Sequence, residues 1–317
     1  DRQDTSQHTL TDKVRGATKT ISSDSNDPET TSTEHLQSFD SDGFTVGANN
    51  RVNQQGVNNA SWNWKANGAG SANTDGSINS TATSANTTAG FSIVKYTGTG
   101  SNATVGHGLG VAPSMILFKN LTSSGGSAEH WVVYHKDISP TKAIILNLTN
   151  AADTDSAYFN NTASTSSVFS IGTADKLNKN GEANIAYCFA EIKGYSKFGA
   201  YKGNGSAEGN FVYLGFKPAF VIAKNTTSAG YSWELFDNKR NTYDGLANVI
   251  QRRLYPDSSA AEGGSASTDY IDFLSNGFKI RRNGDSNENN STYIYMAFAE
   301  QPFVANSGTD GVPATAR

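Results

Sequence analysis

Gly277-Phe278-Lys279-Ile280 and Tyr295-Met296-Ala297-Phe298 decide the fold, because a similar pair of short alternating runs occurs three times in the chain. In every copy, the aromatic residues of the two runs are 20 residues apart, namely Phe44 and Trp64, Phe169 and Phe189, and Phe278 and Phe298. Self-similarity at a long period indicates a duplicated structural unit. The chain is therefore expected to contain three copies of one β-rich unit.

The second and third copies match over most of their length. Residues 96–100 match residues 201–205 at an offset of 105, and residues 113–120 match residues 218–225 at the same offset. The offset changes only between predicted strands, as expected when insertions and deletions fall in surface loops.

The first copy is incomplete. Asp12-Lys13-Val14-Arg15 resembles Asp237-Asn238-Lys239-Arg240, which lies in the middle of the third copy. The strands that precede this point in the other copies have no counterpart before Asp12, so the natural protein is expected to extend N-terminally. The predicted organisation is an incomplete first repeat (1–66), a Gly/Ser/Thr/Asn-rich linker (67–90), a second repeat (91–193), a third repeat (194–303) and a C-terminal tail (304–317).

The composition favours an all-β fold. Gly accounts for 31 of 317 residues and charged residues for only 17%, and Gly, Ser, Thr and Asn favour turns over helix interiors. Frequent short strands with Gly-rich turns predict tandem β-sandwich, jelly-roll-like units. The strands are predicted at 43–47, 60–66, 91–97, 103–107, 114–119, 130–135, 142–148, 167–171, 184–192, 198–202, 210–214, 219–224, 231–236, 270–274, 277–281 and 292–300. The spacing of Leu246, Val249, Ile250 and Leu254 predicts one helix over 243–255.

Charge and hydropathy exclude several classes of partner. The net charge is −4 and the pI about 5.7, which argues against a general nucleic-acid binder. The pairs Arg252-Arg253 and Arg281-Arg282 are interpreted as solvated faces. No run of about 18 apolar residues is present, so no membrane insertion is expected. Cys188, the single cysteine, lies in an apolar run and is predicted to be a buried structural thiol.

The reactive residues do not form a catalytic or metal-binding pattern. His130 and His135 flank a predicted strand, and residues five apart in a strand point to opposite faces. Glu191 and Glu300 provide one carboxylate per repeat, whereas an acid–base pair needs two in one site. The Gly-x-Gly pairs lack the third glycine and the following helix of a nucleotide-binding loop, so we interpret them as hairpin turns. No enzyme activity, cofactor or metal is therefore expected.

Several motifs together resemble tail-fibre-like structural proteins of tailed bacteriophages, especially marine ones. They are Val105-Gly106-His107-Gly108-Leu109-Gly110-Val111-Ala112-Pro113-Ser114-Met115-Ile116, the repeat from Ser41-Asp42-Gly43-Phe44 to Trp62-Asn63-Trp64-Lys65-Ala66, Tyr293-Ile294-Tyr295-Met296-Ala297-Phe298-Ala299-Glu300 and the ending Val312-Pro313-Ala314-Thr315-Ala316-Arg317. The resemblance covers residues from about 12 to 317. It implies a location on the surface of the virion, as a tail or capsid appendage. It also implies a homo-oligomer, expected to be a trimer, with other virion proteins as partners.

The leading hypothesis is a tail fibre or appendage that contacts a glycan or protein on the host surface. Candidate ligand-binding residues lie in the loops 255–269 and 283–291, namely Tyr255, Asp257, Asp285, Asn287 and Asn289. The alternative is a capsid decoration or head-fibre protein with a purely structural role. A glycan depolymerase, or a non-viral adhesin or surface-layer filament, is a further alternative.

Overall fold

A computed structural model describes residues 3–122, 128–240, 248–264 and 270–301. Over these ranges the chain consists of β-strands and irregular segments, and the helices found there are single turns of four residues. The prediction of an all-β fold is confirmed. The chain divides into two compact units. The first unit holds the described residues up to Ala190 together with Pro256–Ala261, and the second holds Glu191–Tyr255 and the described residues from Glu262 onward.

The N-terminal part of the first unit forms two small sheets. Its elements are β1 (Thr9–Asp12), β2 (Gly16–Ser22), β3 (Thr30–Thr31), β4 (Leu36–Phe39), β5 (Phe44–Val46) and the helical turn α1 (Asn50–Asn53). Strands β1, β2 and β3 make an antiparallel three-stranded sheet, and β4 pairs with β5.

The strand predicted over 60–66 does not form, and this prediction is wrong. Burial still alternates along the segment, with Trp62 and Trp64 partly buried between exposed neighbours. The alternation comes from side-chain packing, since the ring of Trp64 lies 6.0 Å from that of Phe189. No strand pairs with this segment among the described residues.

The rest of the first unit is a sandwich with one large sheet. Its elements are β6 (Ala82–Asn86), β7 (Phe91–Thr97), β8 (Ala103–Gly106), β9 (Met115–Asn120), β10 (Val132–His135), β11 (Lys142–Ile145), β12 (Asp153–Thr154), α2 (Ser156–Phe159), β13 (Val168–Ile171), α3 (Asp175–Asn178) and β14 (Ala183–Phe189). Seven strands form one sheet in the order β12-β11-β10-β9-β14-β7-β6, and β13 pairs with β8. The core between them contains Val94, Phe118, Phe169 and Cys188. Cys188 is fully buried and unpaired, as predicted.

Part of the predicted linker belongs to this large sheet. Residues 82–86 are strand β6, which pairs with β7 along its whole length. The segment was expected to be a linker because its side chains are small and polar. Backbone pairing at a sheet edge does not require apolar side chains, and Ser84 makes its own bond to Gly68 O at 2.8 Å.

The N-terminal segment covers the second face of the large sheet. Trp131 Nε1 donates to Ser22 O at 2.8 Å, and the Tyr187 hydroxyl donates to Asp12 at 2.8 Å. Trp131 and Tyr187 are both buried and their rings stack at 6.3 Å. A sheet buried on both faces needs such a cover, so residues of the predicted first repeat complete the packing of the first unit.

The second unit consists of two four-stranded sheets. Its strands are β15 (Ser196–Lys202), β16 (Phe211–Tyr213), β17 (Pro218–Asn225), β18 (Glu234–Asp237), β19 (Val249–Ile250), β20 (Ile271–Leu274), β21 (Gly277–Ile280) and β22 (Thr292–Ala299). The sheet orders are β15-β22-β17-β18 and β16-β21-β20-β19. The core between them contains Val221, Phe236, Phe273 and Phe278.

The helix predicted over 243–255 is absent from its described part. Residues 241–247 lie outside the described residues, whereas Val249–Ile250 is strand β19 and Leu254 bridges to Leu235. Val249 and Ile250 are β-branched, which favours a strand. The apolar residues three and four positions apart therefore do not form one face of a helix. Val249 and Ile250 belong to strand β19, and Leu254 pairs separately with Leu235.

Both units contain strands in the same order. The order β10-β9-β14-β7 of the first unit corresponds to β18-β17-β22-β15 of the second, and the pair β13-β8 corresponds to β21-β16. This common order is what the repeat hypothesis requires of the second and third copies.

Candidate functional site

Asn287, one of the predicted ligand contacts, is a structural residue. Its side chain is fully buried. Its Oδ1 accepts from the backbone N–H of Asn204 at 3.0 Å, and its Nδ2 donates to Ser206 O at 2.7 Å and to Arg282 O at 3.1 Å. The side chain therefore joins the Gly-x-Gly turn after β15 to the loop before β22, and it is not available to a ligand.

Asn178 does the same in the first unit. It is fully buried, its Oδ1 accepts from Thr99 N at 2.8 Å, and its Nδ2 donates to Ser101 O at 2.7 Å. Because the arrangement occurs in both units, it belongs to the architecture. The Gly-x-Gly pairs are turns held by these asparagines. The prediction of hairpin turns is wrong, because β7 and β8 lie in different sheets, as do β15 and β16.

Asp257 and Asn289 belong to different compact units. Asn289 is exposed in a turn, where its Cβ lies close to Gly205. Asp257 is part of the segment Pro256–Ala261, which groups with the first unit. Because Asn287 is buried, the five candidate residues do not all belong to one exposed ligand site.

Tyr255 and Asp285, by contrast, lie on either side of one arginine. They belong to a group of charged and aromatic side chains in the second unit, called here the Arg253 cluster: Glu234, Arg253, Tyr255, Tyr270, Arg282 and Asp285. Glu234 is on β18, and the other five residues are in loops or at the ends of short strands.

Arg253 is the centre of this cluster. Its Nη1 bonds Glu234 and, at 2.6 Å, Asp285. Its guanidinium lies 5.0 Å from the ring centre of Tyr255 and 4.6 Å from that of Tyr270. Two carboxylates and two aromatic faces therefore hold this cation in place, and each type of contact stabilises a guanidinium.

The cluster leads from the interior of the unit to its surface. The side chain of Glu234 is 3% exposed, that of Arg253 14% and that of Asp285 40%. Burial raises the pKa of Glu234, against the opposing effect of Arg253. Burial also acts to raise the pKa of Asp285, but the bond and charge of Arg253 and the charge of Arg282 lower it below its usual value.

Four members of the cluster were not predicted as site residues from the sequence, namely Glu234, Arg253, Tyr270 and Arg282. Arg253 and Arg282 were interpreted as solvated, but Arg253 is largely buried and both stack on Tyr270. One signal was available in the sequence: Glu234 interrupts the apolar run Trp233-Glu234-Leu235-Phe236. A carboxylate in a buried strand requires a cationic partner nearby.

The first unit offers a direct comparison for Glu234 and Arg253. Strands β10 and β18 have the same place in their sheets. In the first unit Val133 pairs with Ile144, and in the second Leu235 pairs with Leu254. Glu234 directly precedes Leu235, as Val132 directly precedes Val133, so Glu234 corresponds to Val132. Arg253 directly precedes Leu254, as Ala143 directly precedes Ile144, so Arg253 corresponds to Ala143.

At these two positions the first unit carries apolar residues. Val132 is fully buried and Ala143 is 1% exposed, and both belong to the hydrophobic core. The same architecture therefore packs without a charge at either position. The ion pair of the second unit is not a requirement of the fold.

A different set of buried charges is architectural. Arg240 bonds Asp237 through Nε, Glu262 through Nη1 at 2.7 Å and Leu235 O through Nη2 at 3.2 Å. In the N-terminal segment, Arg15 makes the corresponding three contacts.

These contacts of Arg15 are with Asp12 through Nε, with Glu29 through Nη1 at 3.3 Å and with Leu10 O through Nη2 at 3.1 Å. Asp12 also accepts the bond from Tyr187. The similarity of residues 12–15 to 237–240 in the sequence thus reflects one turn, built twice around an Asp–Arg–Glu clamp. It carries no candidate ligand site.

The described residues contain no group of three or more His, Cys, Asp or Glu side chains placed to hold a metal ion. His130 bonds Asn147 at 2.8 Å, and His135 accepts from Asp137 N at 3.2 Å. In the same part of the chain, no helix has the length and apolar character needed to cross a membrane.

Comparison with known proteins gives one result. A family model described as Domain of unknown function (DUF7483) matches residues 1–302. The chain belongs to this family. No curated protein and no solved structure matches it. Membership in DUF7483 covers both units, and the description of the family assigns no activity to either of them.

Proposed function

We propose that the chain is a structural protein of a tailed-phage virion, a tail fibre or similar appendage, and that the Arg253 cluster of its second unit contacts the host cell surface. Two observations support this proposal. The sequence motifs resemble those of tail-fibre-like proteins. The cluster also places charged and aromatic side chains in one β-sandwich unit, whereas the other unit has Val132 and Ala143 at the positions of Glu234 and Arg253.

The single observation that carries the proposal is the replacement of Val132 and Ala143 by Glu234 and Arg253. Burying an ion pair removes both charges from water, and replacing such a pair by apolar residues is often neutral or stabilising. The first unit shows that the apolar solution fits this architecture. A pair that stability does not require has its best explanation in recognition, because it fixes the position of Asp285 and Tyr255 at the surface.

The chemistry of the exposed part suits a host glycan. Asp285 is a charged acceptor and Arg282 a charged donor, and both are partly exposed. Tyr255 adds an aromatic face beside them. Sugars offer hydroxyl groups to such acceptors and donors, and their C–H faces to aromatic rings.

Binding to host envelope polysaccharide tests the proposal. Purified protein should bind in a saturable manner, and Asp285→Asn and Tyr255→Ala should each weaken binding by about ten-fold or more, as expected when charged or aromatic contacts are removed. Asp42→Asn, an exposed carboxylate of the first unit, is the matched control and should bind as the wild type does. Absence of binding to any host envelope fraction, or equal binding by all four proteins, would contradict the proposal.

A further inference from the structure

One edge strand of the second unit leaves aromatic side chains exposed. Strand β16 is the end of its sheet, and no described strand pairs with its outer edge. Phe211 is 45% exposed and Tyr213 59%. Asn210 and Leu214 form backbone bonds with β21 or the residue next to it. Because such bonds alternate along an antiparallel pair, the backbone groups of Phe211 and Tyr213 point to the outer edge, where a further segment of chain can pair.

This edge strand corresponds residue by residue to β8 of the first unit. Both strands contain a valine whose partner is the phenylalanine shared by the repeats, and these pairs are Val105–Phe169 and Val212–Phe278. Thr104 of β8 therefore corresponds to Phe211. Gly106 likewise corresponds to Tyr213.

In the first unit, residues 73–78 cover this edge. The N–H of Ile78 donates to Thr104 O at 3.0 Å, and Ser77 Oγ accepts from the backbone N–H of Thr104 at 2.9 Å. A Cβ at Gly76 would lie only 2.4 Å from Thr104 O, so this close approach of the two backbones requires glycine.

The C-terminal segment repeats the centre of this cover. Its residues Gly308-Thr309-Asp310-Gly311-Val312-Pro313 align with Asn73-Thr74-Asp75-Gly76-Ser77-Ile78 and share Thr-Asp-Gly. The two segments also follow equivalent strand patterns of the repeat, since Thr74 comes 10 residues after Trp64 and Thr309 comes 11 after Phe298. Residues 302–317 lie outside the described residues, so this likeness is one of sequence.

The first difference between the segments matches a difference between the edges. In the first unit, Asn73 Cγ is 2.5 Å from the position that a Cβ on Gly106 would take, so the side chain of the segment fills the space beside that glycine. The second unit has the reverse combination, with Tyr213 on the edge and Gly308 in the segment. The larger side chain is on the edge there, and the segment leaves room for it.

The second difference is matched in the same way. Ser77 and Thr104 bond each other through hydroxyl and backbone groups. The corresponding residues of the C-terminal segment and of β16 are Val312 and Phe211, so a polar pair is replaced by an apolar one, which is stabilised by burial. Pro313 lacks an N–H, so one backbone bond of the first unit is not repeated.

We propose that the outer edge of β16 is the docking site of residues 308–313 of the same molecule. Strand β22, which precedes this segment, ends at Ala299. Lys197 pairs with β22 two residues before that end, and its Nζ lies 5.1 Å from the ring centre of Tyr213. The chain from Ala299 to Gly308 spans up to about 30 Å when extended, so the segment reaches the edge. The docking does not depend on the proposed function, because it uses neither the Arg253 cluster nor a host ligand.

Disulfide trapping on the full chain tests the docking. Tyr213→Cys with Gly308→Cys places two thiols at the positions where Gly106 and Asn73 meet in the first unit, and Cys188 is fully buried. Mild oxidation should form a disulfide within one chain at least about ten-fold faster than in the control, Tyr213→Cys with Ala316→Cys, because docking raises the effective concentration of the docked thiol.

A third substitution tests the close backbone approach. Gly311→Val, added to the Gly308→Cys pair, should slow disulfide formation at least about ten-fold, because a side chain there meets the backbone of the edge. Ala314→Val, just outside the segment, should leave the rate unchanged. Circular dichroism melts establish that each variant is folded, and Phe211→Cys with Val312→Cys decides the result if Tyr213→Cys does not fold.

Three outcomes would overturn the proposal. Equal rates for Gly308→Cys and Ala316→Cys would show that the segment does not dock in this register. A rate that Gly311→Val leaves unchanged would show that no close backbone approach occurs. A disulfide between two chains, seen as a dimer on a non-reducing gel, would assign the edge to the segment of a second copy.

Discussion

Asn287 and Asn289 are two residues apart and identical in chemistry, yet they have different roles. Asn287 is fully buried and makes several hydrogen bonds to the neighbouring turn, whereas Asn289 is exposed. In a loop sequence, composition alone does not separate an asparagine that holds a turn from one that faces solvent. Burial and hydrogen bonding make that distinction.

The first prediction concerns these asparagines. Asn287→Ala should lower the free energy of unfolding by about 2–3 kcal/mol, because it leaves buried backbone groups unpaired. Asn178→Ala should do the same in the first unit. Asn289→Ala is the control and should change stability by less than about 0.5 kcal/mol. Urea denaturation measures all three, and a similar loss for Asn289→Ala would refute the distinction.

The second prediction concerns the ion pair of Glu234 and Arg253. Arg253→Ala alone leaves the buried Glu234 without its cation and should cost about 3 kcal/mol, whereas Glu234→Val alone leaves Arg253 bonded to Asp285 and should cost less. The double variant, which installs the residues of the first unit, should cost much less than the sum of the two. A double-mutant cycle in urea provides the test. Additive losses would show that the two side chains do not act as a pair.

The third prediction concerns Lys119, which is fully buried and whose Nζ donates to Asn26 O at 3.0 Å and Glu129 O at 2.7 Å. Burial lowers its pKa to about 8, from an ordinary value near 10.5. Between these values the unfolded chain binds more protons than the folded one, so stability should rise with pH, by at most about 1.4 kcal/mol per pH unit.

Urea denaturation at pH 7.5, 8.5 and 9.5 would measure this rise. Lys119→Met should remove the rise, and Lys65→Met, which changes an exposed lysine, should retain it. Equal pH dependence in the wild type and Lys119→Met would contradict this account of Lys119.

At the scale of elements, the turn after β15 depends on close backbone approach. A Cβ at Gly203 would lie 2.1 Å from the backbone oxygen of Glu288, whereas one at Gly43 would meet nothing within 4 Å. The fourth prediction is that Gly203→Ala costs at least about 2 kcal/mol, because backbone must move, and that Gly43→Ala is neutral. Thermal unfolding of both variants measures this, and equal melting temperatures would rule it out.

The strands of the second and third copies could be predicted from the sequence because their apolar residues alternate and glycines mark their ends. Strands β7 and β22 lie within one residue of their predicted bounds. The failures have physical causes. Burial alternates around Trp62 and Trp64 because side chains pack there, although the backbone does not pair with a strand. Strand β6 is held by backbone hydrogen bonds, which its small polar side chains do not indicate.

The candidate site could be predicted only in part, for a similar reason. Tyr255 and Asp285 were found because aromatic and acidic residues in loops suggest recognition. Arg253, which contacts both residues, was not predicted, because its contact with Asp285 forms only in the folded chain.

At the scale of the whole molecule, each unit has its own sandwich core and the two share one strand order. The shared order is consistent with the repeat hypothesis, and the proposed contact site lies where the two units differ. The Arg253 cluster is found in the second unit, and the first unit has Val132 and Ala143 at the positions of its buried ion pair. In the proposed appendage protein, one architecture would carry different side chains in its two units, since function depends on the sites that a fold carries.

The most direct test of the proposed virion role is electron microscopy of the particle to which the proposal assigns the chain, a tailed phage, labelled with an antibody raised against the second unit. We expect label at the tips of tail appendages. Label distributed evenly over the capsid would contradict it and would identify the chain as a capsid decoration protein.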